Sequence, residues 1–158
     1  MTKQRHKQNG AFSLLELVIV VAIIAIIAAI GIPRLSRGTR GASDSALSGN
    51  VAVLRNAIDL YAAEHGGTDP NTASIEAQLT QYTNAAGASQ ATKDTTHFYG
   101  PYIRKIPPLP VGARKGQTGI AAADGATVGW IYTESTGSIK ANTTASEKDD
   151  SGKLYSDY

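Results

Sequence analysis

The sequence contains no cysteine, which excludes disulfide bonds and metal sites built on cysteine. This absence does not identify the compartment, because many exported bacterial proteins also lack cysteine. Catalytic motifs are missing too: there is no GxSxG, no HExxH and no glycine-rich phosphate loop behind a strand. The three histidines, His6, His65 and His97, stand at no spacing that would join them to a catalytic site. We therefore expect no enzyme.

Charge is also scarce, and its placement is informative. Charged residues make up 18% of the chain, and the formal net charge is +2. Residues 1–11 hold Lys3, Arg5 and Lys7 and no acid, so the remaining twelve basic residues face thirteen acidic ones. The weak basicity therefore belongs to the N-terminal segment alone. Nucleic-acid binding needs clustered Lys and Arg on the folded part, and the sequence predicts no such partner.

The sequence does contain one long apolar run. Residues 14–32 read LLELVIVVAIIAIIAAIGI, about the length that a helix needs to cross a bilayer. A secretory signal peptide fits poorly, because its apolar region is usually shorter and ends at a small-residue cleavage site. We expect residues 12–33 to form a single-pass transmembrane helix. The basic residues 1–11 place its N-terminal end in the cytoplasm and the rest of the chain outside.

Glu16 is the one charged residue inside this run. An acid at the centre of a membrane-spanning helix costs about 2.5–3.5 kcal/mol on insertion scales, and less near the edge. Two interpretations stay open: a carboxylate that reaches the membrane interface, or a charge that meets a cationic partner in an assembly. Near the other end of the run, Gly31 and Pro33 predict a kink or local opening of the helix.

The N-terminal segment resembles a processing signal. Residues 10–16 (GAFSLLE), between the basic leader and the apolar run, resemble the prepilin peptidase motif of type IV pilins and of type II secretion pseudopilins. In that family the leader is cut before a residue that is usually Phe, and Glu stands fifth in the mature chain. Counted from Phe12, Glu16 is fifth and Pro33 is twenty-second, where the family commonly has proline. The resemblance implies cleavage between Ala11 and Phe12 and N-methylation of Phe12.

One position departs from the family pattern. The family usually has Gly immediately before the cut, whereas this register places Ala11 there and Gly10 one residue earlier. Cleavage after Gly10 would make Glu16 the sixth residue, so this cut stays an alternative to the preferred Ala11/Phe12 cut. After the preferred cut, the new ammonium group of Phe12 is expected to meet Glu16 of a neighbouring subunit in a low-dielectric environment, which would fix the register between subunits.

The resemblance implies a structural subunit that polymerises through its N-terminal helix. We expect a pseudopilin of a type II secretion system, similar to the major pseudopilin, because the head is small and cysteine-free and contains YGPYIRKIP and GWIYTESTGSIKAN. The implied partners are further copies of the chain, other pilin-like subunits, the prepilin peptidase and an inner-membrane assembly platform. The implied location is the bacterial inner membrane, with the head extracytoplasmic and the assembled filament periplasmic or on the surface. A true type IV pilus subunit and a monomeric, membrane-tethered extracytoplasmic binding module are the alternatives.

The rest of the pattern predicts an α+β fold, in which a long N-terminal spine helix packs on a small antiparallel β-sheet head, the lollipop shape of the family. Residues 34–65 are expected to continue the helix amphipathically up to a stop at Gly66 and Gly67. The predicted buried stripe of this half consists of Val51, Leu54, Ile58 and Tyr61.

The globular head is expected to span residues 66–158. It should contain a short helix with a stripe of Ile75, Leu79 and Tyr82, capped by Asn71 or Thr72. A loop is expected at residues 84–94, and a proline-fixed crossing segment at residues 99–110. Residues 128–141 give a β-hairpin signal that places Trp130 and Tyr132 on one face.

The C-terminal loop is acidic and suggests calcium as its ligand. Carboxylate oxygens are the ligands that Ca²⁺ prefers, and the major pseudopilins that the chain resembles bind calcium in a C-terminal loop. The candidate ligands are Asp149, Asp150 and Asp157. The spacing of an EF-hand is absent, and a solvated acidic loop is the alternative. No other cofactor is expected.

Overall fold

The structure is a computed structural model that describes residues 12–158, except for the side chains of residues 31–37. The predicted leader, with Gly10 and Ala11, lies outside the described residues. Two compact units divide the chain, one ending at Thr39 and the other spanning Arg40–Tyr158. The second unit holds the sheets and the buried core, and below it is called the head unit.

Helix α1 spans Leu14–Glu64, so the two helical stretches predicted from the sequence form one element. In the head unit it buries one stripe against the core, and each member is at most 3% exposed: Leu47, Val51, Leu54, Ile58 and Tyr61. The predicted end of the helix at Gly66 and Gly67 is confirmed, although the last helical residue is Glu64 and not residue 65. Gly66 and Gly67 have φ of 67° and 85°, and the amide of Gly67 donates to the carbonyl of Ala62 at 2.7 Å. Glycine adopts this left-handed backbone without a steric penalty and so ends the helix.

Helix α2 spans Ile75–Thr80 and buries Ile75 and Leu79, as the sequence predicts. The prediction that Tyr82 extends this stripe is wrong, because the chain turns extended at Gln81 and Tyr82 belongs to a strand. The predicted caps are also wrong: Ser74 is the N-cap residue and makes no side-chain capping hydrogen bond. Asn71 instead accepts a hydrogen bond from the amide of Ala73, which forms a local turn before the helix.

Two small sheets complete the head unit. Strands β1 (Tyr82–Thr83) and β2 (Ser89–Gln90) form an antiparallel pair, so the predicted loop at residues 84–94 contains a short strand. The second sheet has the order β3–β4–β5, with β3 at Gly119–Ala121, β4 at Val128–Thr133 and β5 at Ser138–Ala141. Strand β3 runs parallel to β4, which corrects the expected antiparallel sheet to a mixed one. The α+β class itself is confirmed.

The predicted hairpin is present as β4 and β5, joined by a turn that ends at Gly137 with φ of 61°. Trp130 and Tyr132 lie on the same face and are fully buried, as predicted. Each also satisfies its polar atom against the chain. Trp130 Nε1 donates to the carbonyl of Pro107 at 2.8 Å, and the hydroxyl of Tyr132 donates to the carbonyl of Pro70 at 2.9 Å. Buried Trp and Tyr need such partners, so these bonds fix where the loops cross the sheet.

The proline-rich segment crosses the core as the sequence predicts. Ile106 and Leu109 are buried, while Tyr102 and Ile103 pack partly buried against the same cluster. Asn50 of α1 donates a 3.0 Å hydrogen bond from Nδ2 to the carbonyl of Pro108. This hydrogen bond connects the segment to helix α1 at Pro108, which does not belong to a strand.

Three carboxylates, called the acceptor carboxylates below, hold loops of the head unit by accepting hydrogen bonds. They are Asp124, Glu134 and Glu147. Glu134 accepts hydrogen bonds from the amide and hydroxyl of Thr72 at 2.8 and 2.9 Å, and the bond from that amide is the main cause of its lowered pKa. Arg114 donates two 2.9 Å hydrogen bonds to Asp124 and lowers the pKa of Asp124 to about 2. A backbone hydrogen bond from Thr144 likewise lowers the pKa of Glu147.

Replacing a residue of the buried stripe should destabilise the head unit far more than replacing an exposed residue of the same helix. Leu54 is fully buried, whereas Leu60 is 55% exposed. We expect Leu54→Ala to lower the free energy of unfolding by about 2–5 kcal/mol, and Leu60→Ala to change it by about 0.5 kcal/mol or less. Denaturant unfolding followed by near-ultraviolet circular dichroism of Trp130 measures both. Equal losses would contradict the assigned core face.

The acceptor carboxylates should make the head unit sensitive to acid. Their pKa values are lower in the folded chain than the unfolded values of about 4, so their stabilisation is present above about pH 4 and is lost as pH falls toward about 2. We expect the denaturant midpoint to fall across this range, and to fall less steeply in Glu134→Gln. Asp59→Asn, an exposed acid on α1, is the control and should follow the wild-type slope. A wild-type midpoint that stays constant across this range would contradict the prediction.

Candidate functional site

The N-terminal part of α1 presents an apolar surface in which Glu16 is the one charged residue. Of the described residues 12–30, all except the half-buried Ala28 are exposed. Phe12 is 79% exposed and Leu14 is 82% exposed. The other large apolar side chains on this surface are Leu15, Leu17, Val18, Ile19, Val20, Val21, Ile23, Ile24, Ile26, Ile27 and Ile30. Soluble monomers rarely expose so large a contiguous apolar area, so this segment is suited to association.

Ser13 begins the helix as its N-cap, a role that the sequence reading missed. The amide of Glu16 donates to Ser13 Oγ at 3.2 Å, and the amide of Leu17 donates to the carbonyl of Ser13 at 3.2 Å. The spacing Ser-x-x-Glu is the sequence signature of a capping box and could have identified this start. It places the Glu16 side chain in the first turn, where the helix dipole favours a negative charge. Glu16 is exposed and so is open to a partner from another molecule.

The described residues include only part of the predicted processing and kink sites. Phe12 is described and exposed, while Gly10 and Ala11 lie outside the described residues. Gly31 and Pro33 fall within α1, but their side chains are not described. The cleavage position and the kink therefore stay predictions.

Among the residues that the structure describes, no helix is both long and apolar enough to span a bilayer.

In the C-terminal loop, Asp149 already accepts hydrogen bonds through both carboxylate oxygens. Oδ1 accepts from the amide and hydroxyl of Ser151 at 2.8 and 2.7 Å and from the amide of Lys153 at 2.9 Å. Oδ2 accepts from the hydroxyl of Tyr158 at 2.5 Å. The bond from Ser151 is the main cause of the lowered pKa of Asp149, and the bond to Asp149 raises the pKa of Tyr158 to about 12.

The other two calcium candidates have separate partners. Asp150 forms an exposed ion pair with Arg40 of α1 at 3.8 Å, and Asp157 accepts a 3.3 Å hydrogen bond from Ser156. Among residues 12–158, apart from the side chains not described, no group of three or more Asp, Glu, His or Cys residues is arranged to hold a metal ion. Oδ1 of Asp149 is therefore fully engaged with Ser151 and Lys153, whereas Oδ2 accepts a single hydrogen bond from Tyr158.

A cleft of about 350 Å³ lies on the head unit, and the charged groups that line it are hydrogen-bonded to the chain itself. Arg114 binds Asp124, which also accepts a 2.8 Å hydrogen bond from Asn142 Nδ2. Glu147 accepts from the amides of Ala113 and Thr144 at 2.6 and 2.7 Å. These hydrogen bonds connect the loops that contain Ala113, Asp124 and Thr144 to neighbouring parts of the head unit. The complete lining is Ala113, Arg114, Asp124, Asn142, Thr143, Thr144 and Glu147.

One comparison with known proteins identifies the N-terminal segment. Residues 6–32 match the family described as the prokaryotic N-terminal methylation motif, which is a type IV pilin-like signal. No curated protein and no solved structure matches the chain. The matched segment includes the predicted processing residues Gly10, Ala11 and Phe12 together with Glu16, and it implies prepilin peptidase processing and filament assembly. The motif suggests a type IV pilin-like subunit, and the long helix with an α+β head is consistent with a pilin-like fold.

Proposed function

We propose that this chain is a membrane-anchored structural subunit of a pilin-like filament, and more narrowly a pseudopilin of a type II secretion system that supports protein export. The observation that carries the proposal is the match of residues 6–32 to the N-terminal methylation motif. The exposed apolar surface of residues 12–30 supports it, because this surface needs a cover that the described chain does not provide.

The same apolar surface serves two successive states in this proposal. Burial of one large aliphatic side chain contributes about 1.5–3 kcal/mol, so a run of them strongly favours any apolar environment. Before assembly the environment is the inner membrane, and in the filament it is the corresponding helices of other copies. The basic leader keeps the N-terminal end cytoplasmic until prepilin peptidase removes it.

Glu16 provides the register of assembly in this proposal. Cleavage between Ala11 and Phe12 creates an ammonium group at Phe12, and a neighbouring copy offers the exposed Glu16 carboxylate. Removing one partner of a buried ion pair leaves an uncompensated charge, which is strongly destabilising. Subunits would therefore stop sliding past one another where the two charges meet.

Features of the head favour the pseudopilin assignment over a true pilus subunit. The chain has no cysteine with which to brace its C-terminal region, and residues 128–141 form a compact β4–β5 hairpin. The proposed partners are further copies of the chain, other pilin-like subunits and an inner-membrane assembly platform. A filament that forms on the cell surface in the absence of secretion components would favour the pilus alternative.

Co-expression of the full chain with a prepilin peptidase tests processing. We expect the intact mass and N-terminal fragments to show a chain that begins at N-methylated Phe12. A chain that begins at Ala11 would retain processing but move Glu16 to the sixth position and remove the basis of the register. An uncleaved chain in the presence of active peptidase would overturn the filament proposal and favour the monomeric tethered module.

The same co-expression with prepilin peptidase tests the role of Glu16 in assembly, with a substitution of another exposed acid as the control. We expect Glu16→Gln to be processed and inserted normally but to reduce sedimentable filaments by about tenfold or more. Asp59→Asn, an exposed acid elsewhere on α1, should give the wild-type yield. A wild-type yield from Glu16→Gln would exclude the pairing role.

Calcium binding at Asp149, Asp150 and Asp157 is a separate proposal. A ligand that binds only the folded state stabilises it in proportion to the logarithm of its concentration above the dissociation constant. Millimolar Ca²⁺ should therefore raise the melting temperature of the wild-type chain relative to a chelator control, whereas the same concentration of Mg²⁺ should not. Asp157→Asn should reduce the rise. An unchanged melting temperature in Ca²⁺ would exclude the site.

A further inference from the structure

Ser13 stands at the start of helix α1, where the apolar surface of residues 12–30 begins. The amide of Glu16 donates to Ser13 Oγ at 3.2 Å, and the amide of Leu17 donates to the Ser13 carbonyl at 3.2 Å. The first amides of an α-helix have no carbonyl partner within the helix itself. The Ser13 hydroxyl therefore supplies the acceptor that the Glu16 amide would otherwise have to find outside the helix.

The surroundings of this segment make that hydrogen bond more important than it would be in water. An amide without an acceptor is costly wherever water is excluded. Phe12 and Leu14, on either side of Ser13, are 79% and 82% exposed, so an apolar cover over these two side chains would also exclude water from the start of the helix. Without the Ser13 hydroxyl, the first turn would lose an acceptor in that environment and would fray.

The position of the Glu16 carboxylate depends on where the helix begins. Glu16 is the third residue of α1, and a helical side chain leans toward the N-terminus of its helix. The carboxylate is therefore held at a fixed height, leaning toward Phe12, only while residues 14–16 are helical. A residue advances the chain by about 1.5 Å in a helix and by about 3.3 Å when extended. Unwinding of the first turn would thus displace the charge by several ångströms.

We propose that Ser13 is the positioning residue of the assembly contact. Its hydroxyl caps α1 and so holds Glu16 at the height where the ammonium group of Phe12 from a neighbouring copy meets it. Ser13 acts through Glu16 and not by contact with the incoming ammonium group. This inference rests on the proposed filament function, and it names the residue that defines the register of that filament.

Amide hydrogen exchange tests the capping step without any need for assembly. In the processed full chain in detergent micelles, we expect Ser13→Ala to make the Glu16 amide exchange about fivefold faster, the usual size of a lost N-cap. Ser13→Thr keeps a capping hydroxyl and should exchange like the wild type. Ser45 donates from its hydroxyl to the carbonyl of Gly41 at 2.9 Å within the same helix, so Ser45→Ala is the matched control and should leave the Glu16 amide unchanged. Equal exchange in wild type and Ser13→Ala would overturn the capping role.

Filament yield tests whether the cap matters for assembly. The variants are co-expressed with prepilin peptidase, and sedimentable filaments are expressed per chain that begins at Phe12 by intact mass, so that an effect on cleavage does not enter. We expect Ser13→Ala to lower the yield about fivefold. Ser13→Thr and Ser45→Ala should give the wild-type yield. A wild-type yield from Ser13→Ala would refute the positioning role and leave the filament function intact, whereas a wild-type chain that is processed but forms no filaments would refute both.

A double-mutant cycle separates positioning of Glu16 from a general loss of helix stability. Residues that act through one contact show non-additive effects, whereas independent effects add. If Ser13 acts through Glu16, Ser13→Ala should lower the yield in the wild-type background and should cause no further loss in the Glu16→Gln background. The same fivefold loss in both backgrounds would show that Ser13 supports the helix without positioning Glu16, and the proposal would be withdrawn.

Discussion

Burial of one face of helix α1 is the constraint on which the head unit depends. The stripe from Leu47 to Tyr61 packs in the same cluster as Trp130 and Tyr132 of β4. The strands of the head are two to six residues long, and ladders of that length are marginal without a packed face. Apolar burial against the helix therefore stabilises the three-stranded sheet and the proline-rich segment, and loss of that contact would leave them without a core.

Side-chain hydrogen bonds to loop backbone do the remaining positioning. The chain has no disulfide, and much of the head unit lies outside helices and strands. Tyr132 fixes the loop at Pro70, Trp130 fixes the one at Pro107, and Glu134 fixes Thr72. Each bond satisfies a polar group that burial or loop closure would otherwise leave without a partner. At the end of α1, the ring nitrogens of His65 lie 2.8 Å and 3.0 Å from the carbonyl oxygens of Tyr61 and Asn84.

The two units of the chain differ in how much apolar surface they expose to solvent. The head unit buries most of its large apolar residues, with Val53, Leu60 and Phe98 about half exposed, whereas residues 12–30 expose theirs on every side. A segment of that kind is suited to an apolar surrounding provided by lipid or by other copies. This contrast, together with the methylation motif, makes a structural role in an assembly the physically consistent function. The acceptor carboxylates, in turn, hold the loops of the head unit.

The sequence by itself determined the features that depend on local periodicity and local backbone chemistry. Apolar spacing gave the buried stripe of α1, paired glycines gave its end, and alternation gave the shared face of Trp130 and Tyr132. The processing motif was likewise readable, because residues 10–16 carry it without reference to any other part of the chain. The capping role of Ser13 was present in the Ser-x-x-Glu spacing but was missed.

Only the tertiary structure decided what depends on residues far apart in the chain. Strand β3 pairs in parallel with β4, and Tyr82 belongs to a strand. The carboxylate oxygens of Asp149 accept hydrogen bonds from Ser151, Lys153 and Tyr158. The ring of His65 lies between the carbonyl oxygens of Tyr61 and Asn84. Strand partners and hydrogen-bond acceptors are chosen by where the packed helix and loops bring them together. Local sequence carries no record of that geometry.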